Sequence, residues 1–216
     1  MTAPVDDATH YRWLAACYAR GRLGLADDVD DEHALAAAAA AALRLHRFKR
    51  AAELPRVRAV LGTLRGLAPD RLLDVGSGRG VFLWPVLDAL PGVAVTAVDV
   101  VAERAAQLAA VARGGARRLT VARMDAARLG LAADSVDVAT VLEVLEHVAA
   151  PAAVAAEALR VARRAVVATV PSQPDDNPEH VRLFTADRLR ALWVDAGARR
   201  VTIDGVRGHL TAVALR

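Results

Sequence analysis

The stretch that determines the fold is RLLDVGSGRG, residues 71–80. An apolar run that ends in Asp74 is followed at once by Gly76, Gly78 and Gly80, and then by apolar residues at helical spacing. This pattern predicts a strand, a tight turn and a helix. Because glycine has no Cβ, such a turn can adopt positive φ and let a ligand lie against bare backbone.

The acid before the glycines narrows the choice of ligand. Glycine spacing alone is shared by many nucleotide sites. A dinucleotide would place a pyrophosphate at this turn, where the carboxylate of Asp74 would repel it. A carboxylate suits a ligand with positive or hydroxyl groups, so Asp74 favours S-adenosylmethionine, whose amino and sulfonium groups are positive.

Four segments in order resemble the motifs of the class I S-adenosylmethionine-dependent methyltransferases. The stretch LLDVGSGRG, residues 72–80, is close to the first motif, and a second apolar run ends in Asp99, which resembles the acid that bonds both ribose hydroxyls. Residues 123–126 resemble the adenine-binding segment, and residues 135–143 the fourth motif, which borders the reacting methyl. The resemblance covers roughly residue 55 to the end. It implies a cofactor site made of Asp74, Gly76, Ser77, Gly78, Gly80, Asp99, Val100, Met124, Asp125, Ala126, Leu142 and Glu143.

Alternating apolar segments predict an α/β fold. We expect a Rossmann-like, seven-stranded, mostly parallel sheet with helices on both faces and an N-terminal helical cap. The ligand should lie outside the carboxyl ends of the strands, where Asp74, Asp99, Asp125 and Glu143 fall. The predicted strands are 71–75, 93–99, 117–123, 135–142, 164–170, 199–206 and 209–215, and the predicted helices after residue 70 are 79–90, 101–113, 151–163 and 185–197.

The chain is predicted to divide into an N-terminal helical cap, residues 1–54, and a cofactor-binding domain, residues 55–216. In the resembling family such a cap commonly covers the active site and contributes to substrate choice. One helix is expected over 10–20, ended by Gly21 and Gly24, and a second over 34–45. The basic residues Arg44, His46, Arg47, Lys49 and Arg50 would then complement the dipole of its last turns, or alternatively meet an anionic substrate. Pro55 would stop that helix and start the next.

A polar cluster follows the fourth motif. If residues 143–147 form a helical turn, Glu143, Glu146 and His147 share one side of it. His180 lies in the loop after the fifth predicted strand. This loop is expected to fold back over the same opening of the site as Glu143, Glu146 and His147. Two carboxylates and two imidazoles could bind a divalent ion, with Mg²⁺ or Mn²⁺ favoured by the oxygen ligands. His147 is the first choice as general base and His180 the second, because imidazole titrates near neutrality. Glu143 would contact the cofactor or orient His147.

This arrangement of Glu143, Glu146, His147 and His180 resembles two families, and each resemblance implies a different class of methyl acceptor. It resembles the bacterial small-RNA 3′-terminal ribose 2′-O-methyltransferases, in which the four residues hold a metal. The separation from His147 to His180 is short for that family, and residues 170–172 lack its usual asparagine. The segment HVRLFT, residues 180–185, is similar to small-molecule O-methyltransferases of the ubiquinone-biosynthesis type. We expect a small-molecule acceptor, with RNA, a peptide or protein acceptor, or a non-catalytic cofactor-binding partner subunit as alternatives. A homodimer through the N-terminal helices is a further expectation.

Length and composition limit the domain organisation and the kinds of partner that we expect for the chain. The 216 residues suit one well-buried domain with an added helical piece. The surplus of 28 basic over 25 acidic side chains is small, so the pI of 9.7 reflects arginine and gives no case for nucleic acid. No apolar run has membrane-spanning length and residues 1–7 do not resemble a signal peptide, which predicts a cytoplasmic protein without membrane contact. Cys17 is the only cysteine and is expected to be a small core residue.

Overall fold

A computed structural model describes residues 7–45, 48–174 and 176–216. Within these residues seven strands form one sheet in the order β3-β2-β1-β4-β5-β7-β6. The strands are β1 (Arg71–Val75), β2 (Ala94–Asp99), β3 (Leu119–Arg123), β4 (Val136–Leu142), β5 (Ala162–Pro171), β6 (Arg200–Val206) and β7 (His209–Leu215). The helices are α1 (Asp7–Leu23), α2 (Asp31–Ala40), α3 (Pro55–Leu67), α4 (Leu83–Ala89), α5 (Ala102–Arg113), α6 (Pro151–Val161) and α7 (Ala186–Asp195).

The predicted seven-stranded, mostly parallel sheet is confirmed. Strands β1 to β5 pair in parallel, and β7 pairs antiparallel with both β5 and β6. Strand side chains alternate between two buried clusters, because successive residues point to opposite faces. Leu72 packs in the cluster that contains α1, α3, α4 and α5, whereas Leu73 packs in the cluster that contains α6 and α7. Helices therefore cover both faces of the sheet.

The predicted helix over 34–45 is shorter and starts earlier than expected. The side chain of Asp30 caps its start by accepting from the His33 N–H, and α2 ends at Ala40. Ala42 has a φ of 51°, and the N–H of Leu43 donates to Ala38 O, which closes the helix. The basic cluster therefore follows α2 instead of forming its last turns, and His46 and Arg47 lie outside the described residues. Pro55 starts α3 as predicted but does not end α2.

Helices α1 and α4 also differ from their predicted ranges. Helix α1 continues through Gly21 to Leu23, and Gly24, with a φ of 64°, follows it. Helix α4 begins at Leu83 instead of residue 79, because the glycine turn continues through residues 77–82. No described helix is long and apolar enough to cross a membrane.

The N-terminal helix α1 packs on α5 through two glycines. A Cβ added to Gly21 would lie 1.8 Å from Ala110 O, and one added to Gly114 would lie 1.8 Å from Cys17 O. Cys17 is fully buried in this contact, and burial raises the pKa of its thiol from 9.0 to about 11. The cysteine is thus a core residue, as its alanine-rich surroundings predicted.

This contact predicts opposite effects for two glycine substitutions. Gly21→Ala should lower the free energy of unfolding by about 1–3 kcal/mol, because the new methyl meets backbone atoms. Gly62→Ala, in α3, meets nothing within 4 Å and is the matched control. It should raise the free energy of unfolding by about 0.5–1 kcal/mol, because alanine is the better helix former. Urea unfolding measures both, and equal effects would contradict the close α1–α5 packing.

Candidate functional site

A cavity of about 730 Å³ opens at the carboxyl edge of the parallel strands. It brings together Asp74, next to the last residue of β1, Asp99 at the end of β2, and Asp125 and Glu143, which follow β3 and β4, as predicted. All the predicted cofactor residues except Gly80 line it: Asp74, Gly76, Ser77, Gly78, Asp99, Val100, Met124, Asp125, Ala126, Leu142 and Glu143. Its volume lies in the range of about 300–1,000 Å³ that small ligands occupy.

The glycine turn has the backbone conformation that its sequence predicted. Gly76, Gly78 and Gly80 have φ values of 74°, 58° and 90°, a region that L side chains rarely adopt. A Cβ at Gly76 would also lie 2.5 Å from Val144 Cγ2, so the turn and the segment after β4 approach closely. The turn thus leaves bare backbone along the cavity.

Gly80 supports the turn from behind instead of lining the cavity. A Cβ at this position would lie 1.9 Å from Nε1 of Trp84, which donates to Arg79 O at 3.1 Å. The same carbonyl accepts from the N–H of Lys49 at 2.9 Å. The segment after α2 therefore touches the turn through its backbone. No described residue before Arg56 lines the cavity, so a role of residues 1–54 in substrate choice stays a prediction.

Asp99 is fixed by two loops. Its Oδ2 accepts from the Gly78 N–H and its Oδ1 from the Val101 N–H, both at 2.8 Å. The carboxylate is buried, with 4% of the residue exposed. Since each carboxylate oxygen has two lone pairs, one acceptor position on each remains, which matches a pair of ribose hydroxyls.

Asp74 carries a buried carboxylate with one oxygen that lacks a partner. Its Oδ1 accepts from Thr140 Oγ1 at 2.8 Å, whereas its buried Oδ2 has no hydrogen-bond partner among the described residues. Burial, and to a smaller degree the charge of Asp99, raise the pKa of Asp74 from 3.8 to about 6. A buried carboxylate oxygen in need of a donor fits the positive amino group of S-adenosylmethionine.

The far end of the cavity is apolar. Val100 is 56% exposed and Val101 40% exposed, and both line the cavity together with Met124 and Ala126. Asp125 accepts from the Ala127 N–H at 2.9 Å, which holds its loop in a tight turn. Exposed apolar side chains beside an acid fit a flat base with an exocyclic amine. The residues of this chain therefore fit S-adenosylmethionine along the length of the cavity.

Glu143 has contacts that the sequence did not predict. Its φ is 56°, a left-handed conformation that costs about 1–3 kcal/mol for residues other than glycine and clusters at functional sites. Thr169 Oγ1 donates to its Oε1 at 2.7 Å, and His209 Nε2 and Arg56 Nε lie 3.0 and 3.6 Å from its Oε2. These three partners belong to β5, β7 and α3, so only the folded topology brings them together.

The structure separates Glu143 from the other three residues of the predicted polar cluster, Glu146, His147 and His180. The nearest ligand atoms of Glu146, His147 and His180 all lie within 4.8 Å of one another, and the rings of the two histidines are 4.7 Å apart. Glu143 is not part of this group, because residues 143–147 do not form the expected helical turn and its carboxylate faces Thr169 and His209. The predicted four-residue metal site is therefore reduced to three residues.

Of these three residues, only His147 lines the cavity. Its Nδ1 lies 3.0 Å from Glu179 O, and the carbonyl can only accept, so Nδ1 carries a proton. In the neutral ring Nε2 is then the basic nitrogen. Glu146 is buried, with 1% exposed, and lies behind His147 with an oxygen 3.9 Å from Nε2. Glu143 does not contact His147 and so does not orient it directly.

Comparisons with known proteins support a methyltransferase domain in this part of the chain. Residues 73–168 match the model of a family described as a methyltransferase domain. A comparison with curated proteins found no match.

Solved structures share the fold. An S-adenosylmethionine-dependent methyltransferase from Aquifex aeolicus has 22% identity and a TM-score of 0.64, covering 76% of this chain and 91% of its own. The YcgJ protein from Bacillus subtilis has 19% identity and a TM-score of 0.60, with coverage of 69% and 70%. A magnesium protoporphyrin IX methyltransferase from Synechocystis, solved with bound SAH, has 19% identity and a TM-score of 0.58, with coverage of 74% and 82%.

The matched segment runs from Leu73 in β1 to Ala168 in β5 and so contains the glycine turn and the four acids of the cavity. Residues 73–168 therefore match a methyltransferase domain, and the described chain has the fold of S-adenosylmethionine-dependent methyltransferases.

Proposed function

We propose that the chain transfers a methyl group to a hydroxyl of a small-molecule acceptor. The observation that carries this proposal is that His147 lines the same cavity as the glycine turn and the four acids, with its Nδ1 proton held by a backbone carbonyl. An imidazole held in this way can take the proton of an acceptor hydroxyl. A cavity of this size supports a small acceptor.

The bound cofactor supplies an electrophilic methyl group on a sulfonium, so the leaving group is already activated. The protein must then align the acceptor and remove a proton. Asp74 and Asp99 would hold the amino and ribose ends, because both carboxylates are fixed before any ligand arrives. His147 Nε2 would accept the proton, and the bond from Nδ1 to Glu179 O would stabilise the resulting imidazolium.

An acceptor panel tests the proposal directly. Small phenols, hydroxy acids and short RNA are incubated with the full chain and S-adenosylmethionine, and the demethylated product is measured. Turnover of phenols or hydroxy acids supports the proposal, whereas turnover of RNA alone contradicts it.

The geometry of His147 predicts a separation of binding from turnover. His147→Ala should lower turnover of an active acceptor by about 10²–10⁴-fold, the usual contribution of a positioned base. Its affinity for S-adenosylhomocysteine, measured by calorimetry, should stay within a few-fold, whereas Asp99→Ala should lose that binding. His33→Ala, on the exposed side of α2, is the matched control for removing a histidine. Unchanged turnover in His147→Ala would remove this residue from the mechanism.

The raised pKa of Asp74 predicts a pH-dependent affinity. Asp74 ionises as the pH rises through about 6, and only the ionised form attracts an ammonium group. The affinity for S-adenosylhomocysteine should therefore be highest above pH 7 and fall by about tenfold for each pH unit below 6. The affinity for 5′-methylthioadenosine, which has no ammonium group, should change little over the same range.

Asp74→Asn is the matched variant for this titration. It should weaken S-adenosylhomocysteine binding by about 10–100-fold at pH 7.5, the usual loss for a hydrogen bond to a charged group, and remove the pH dependence below 6. Circular dichroism at each pH checks that the fold is intact. Parallel losses for both ligands in the wild-type chain would show that Asp74 does not hold the amino group.

A second candidate function is a metal-dependent transfer to the 3′-terminal ribose of RNA. The specific observation that favours it is the convergence of Glu146, His147 and His180. One carboxylate and two imidazoles are a ligand set that divalent ions accept. Three protein ligands would leave further coordination positions for the two hydroxyls of a terminal ribose.

This second function predicts a manganese site. Titration of Mn²⁺ into the wild-type chain should show one site, which His180→Ala removes and His33→Ala retains. Methylation of short RNA should then fall on addition of EDTA and recover with Mn²⁺. Failure of the wild-type chain to bind Mn²⁺, or activity that EDTA does not change, would exclude a metal at these three residues.

A further inference from the structure

Four contacts with three neighbouring residues hold Glu143 at the wall of the cavity. Its N–H donates to Thr169 O at 3.0 Å, and its Oε1 accepts from Thr169 Oγ1 at 2.7 Å. Its Oε2 contacts His209 Nε2 at 3.0 Å and Arg56 Nε at 3.6 Å. A left-handed backbone, a hydroxyl, an imidazole and a guanidinium therefore fix one carboxylate at the cavity wall.

The contacts of His209 define where a proton lies. His209 Nδ1 is 3.1 Å from Arg207 O, and since a carbonyl only accepts, Nδ1 carries a proton. The 3.0 Å contact between Nε2 and Glu143 Oε2 joins two atoms that would both be acceptors in the neutral ring and the free carboxylate. A contact of this length needs a proton between His209 Nε2 and Glu143 Oε2.

The order of the strands shows which part of a bound ligand Glu143 meets. Asp125, Asp99 and Asp74 follow or end β3, β2 and β1, and Glu143 follows β4, the next strand of the sheet. A cofactor with its base at Asp125 and its amino group at Asp74 would thus extend along the first three positions. Glu143 is the next group in that direction, beyond the side of the cavity that holds the nucleoside.

The carboxylate also keeps acceptor capacity. Oε2 faces both His209 and Arg56, whereas Oε1 has one donor, Thr169 Oγ1, among the described residues. A carboxylate oxygen accepts two hydrogen bonds, so Oε1 can receive one more. A hydroxyl of a methyl acceptor is a donor of the required kind.

We propose that His209 is a positioning residue that acts through Glu143: the proton shared by His209 and Glu143 fixes the carboxylate, which then binds a hydroxyl of the methyl acceptor other than the one whose proton His147 takes. The identity of the bound group rests on the proposed function. His209 itself does not line the cavity, so its effect on an acceptor passes through Glu143.

The shared proton is tested without any acceptor. Proton–nitrogen NMR of the full chain should show a ring N–H of His209 that is protected from exchange with water. His209→Gln assigns this resonance by removing it, and Glu143→Gln should shift it or lose its protection. A wild-type spectrum without such a resonance, or one that Glu143→Gln leaves unchanged, overturns the proposal. An inactive acceptor panel would instead count against the proposed function.

Kinetics with an acceptor from the panel test the positioning role. His209→Ala should raise the KM of the acceptor by about tenfold, with a smaller change in kcat, because the carboxylate loses a charged hydrogen bond. His209→Gln, which retains an amide donor, should recover most of that loss, and calorimetry should show S-adenosylhomocysteine affinity within about threefold of wild type in both. His33→Ala is again the control.

A double-variant cycle separates positioning from a structural effect. If His209 acts through Glu143, the variant carrying both His209→Ala and Glu143→Gln should be no more impaired than Glu143→Gln alone. Additive losses in KM, or a loss of S-adenosylhomocysteine affinity in His209→Ala, would mean that His209 only stabilises the sheet and would overturn the proposal.

Discussion

The carboxylate of Asp74 is the constraint on which the site depends. It is buried at the end of β1 with one hydroxyl donor, and burial raises its pKa from 3.8 to about 6. Since the pKa is raised, the cost of ionising the group in the folded chain is absent at low pH and complete above about pH 6, where it reaches about 3 kcal/mol. A ligand that brings a positive charge to the unpartnered Oδ2 offsets this cost. The free protein thus stores at Asp74 part of the energy with which it binds a cation.

The other features of the site position a bound ligand next to this carboxylate. The three glycines leave room for it, and Asp99, held by the N–H groups of Gly78 and Val101, ties the turn after β1 to the loop after β2. Because β3, β2, β1 and β4 are neighbours in that order, their four acids form a row along one edge of the sheet. A molecule with a base, a ribose and a charged amino acid tail can therefore contact several of these acids at once.

The sequence was sufficient to predict the sheet and which residues line the cavity at its carboxyl edge, because strand periodicity, glycines and acids near strand ends are local signals. Prediction from the sequence was wrong where contacts between residues distant in sequence determine the local structure. Alanine gives a helix no signal to stop, so the end of α2 is set by Leu43 and Leu45 packing on the core. Gly80 was assigned to the cofactor, but its missing Cβ makes room for Trp84. Nothing near residue 143 in the sequence indicates Arg56, Thr169 or His209, since each lies on a different element and only tertiary structure joins them.

The position of β7 has a consequence for how the protein is made. Among the described strands β7 comes latest in the sequence, yet it lies inside the sheet between β5 and β6 and begins with His209. During synthesis the parallel strands β1 to β4, and with them the four acids of the cavity, leave the ribosome before β7. The group around Glu143 is different, because its contact with His209 can form only after residues 209–215 have also emerged.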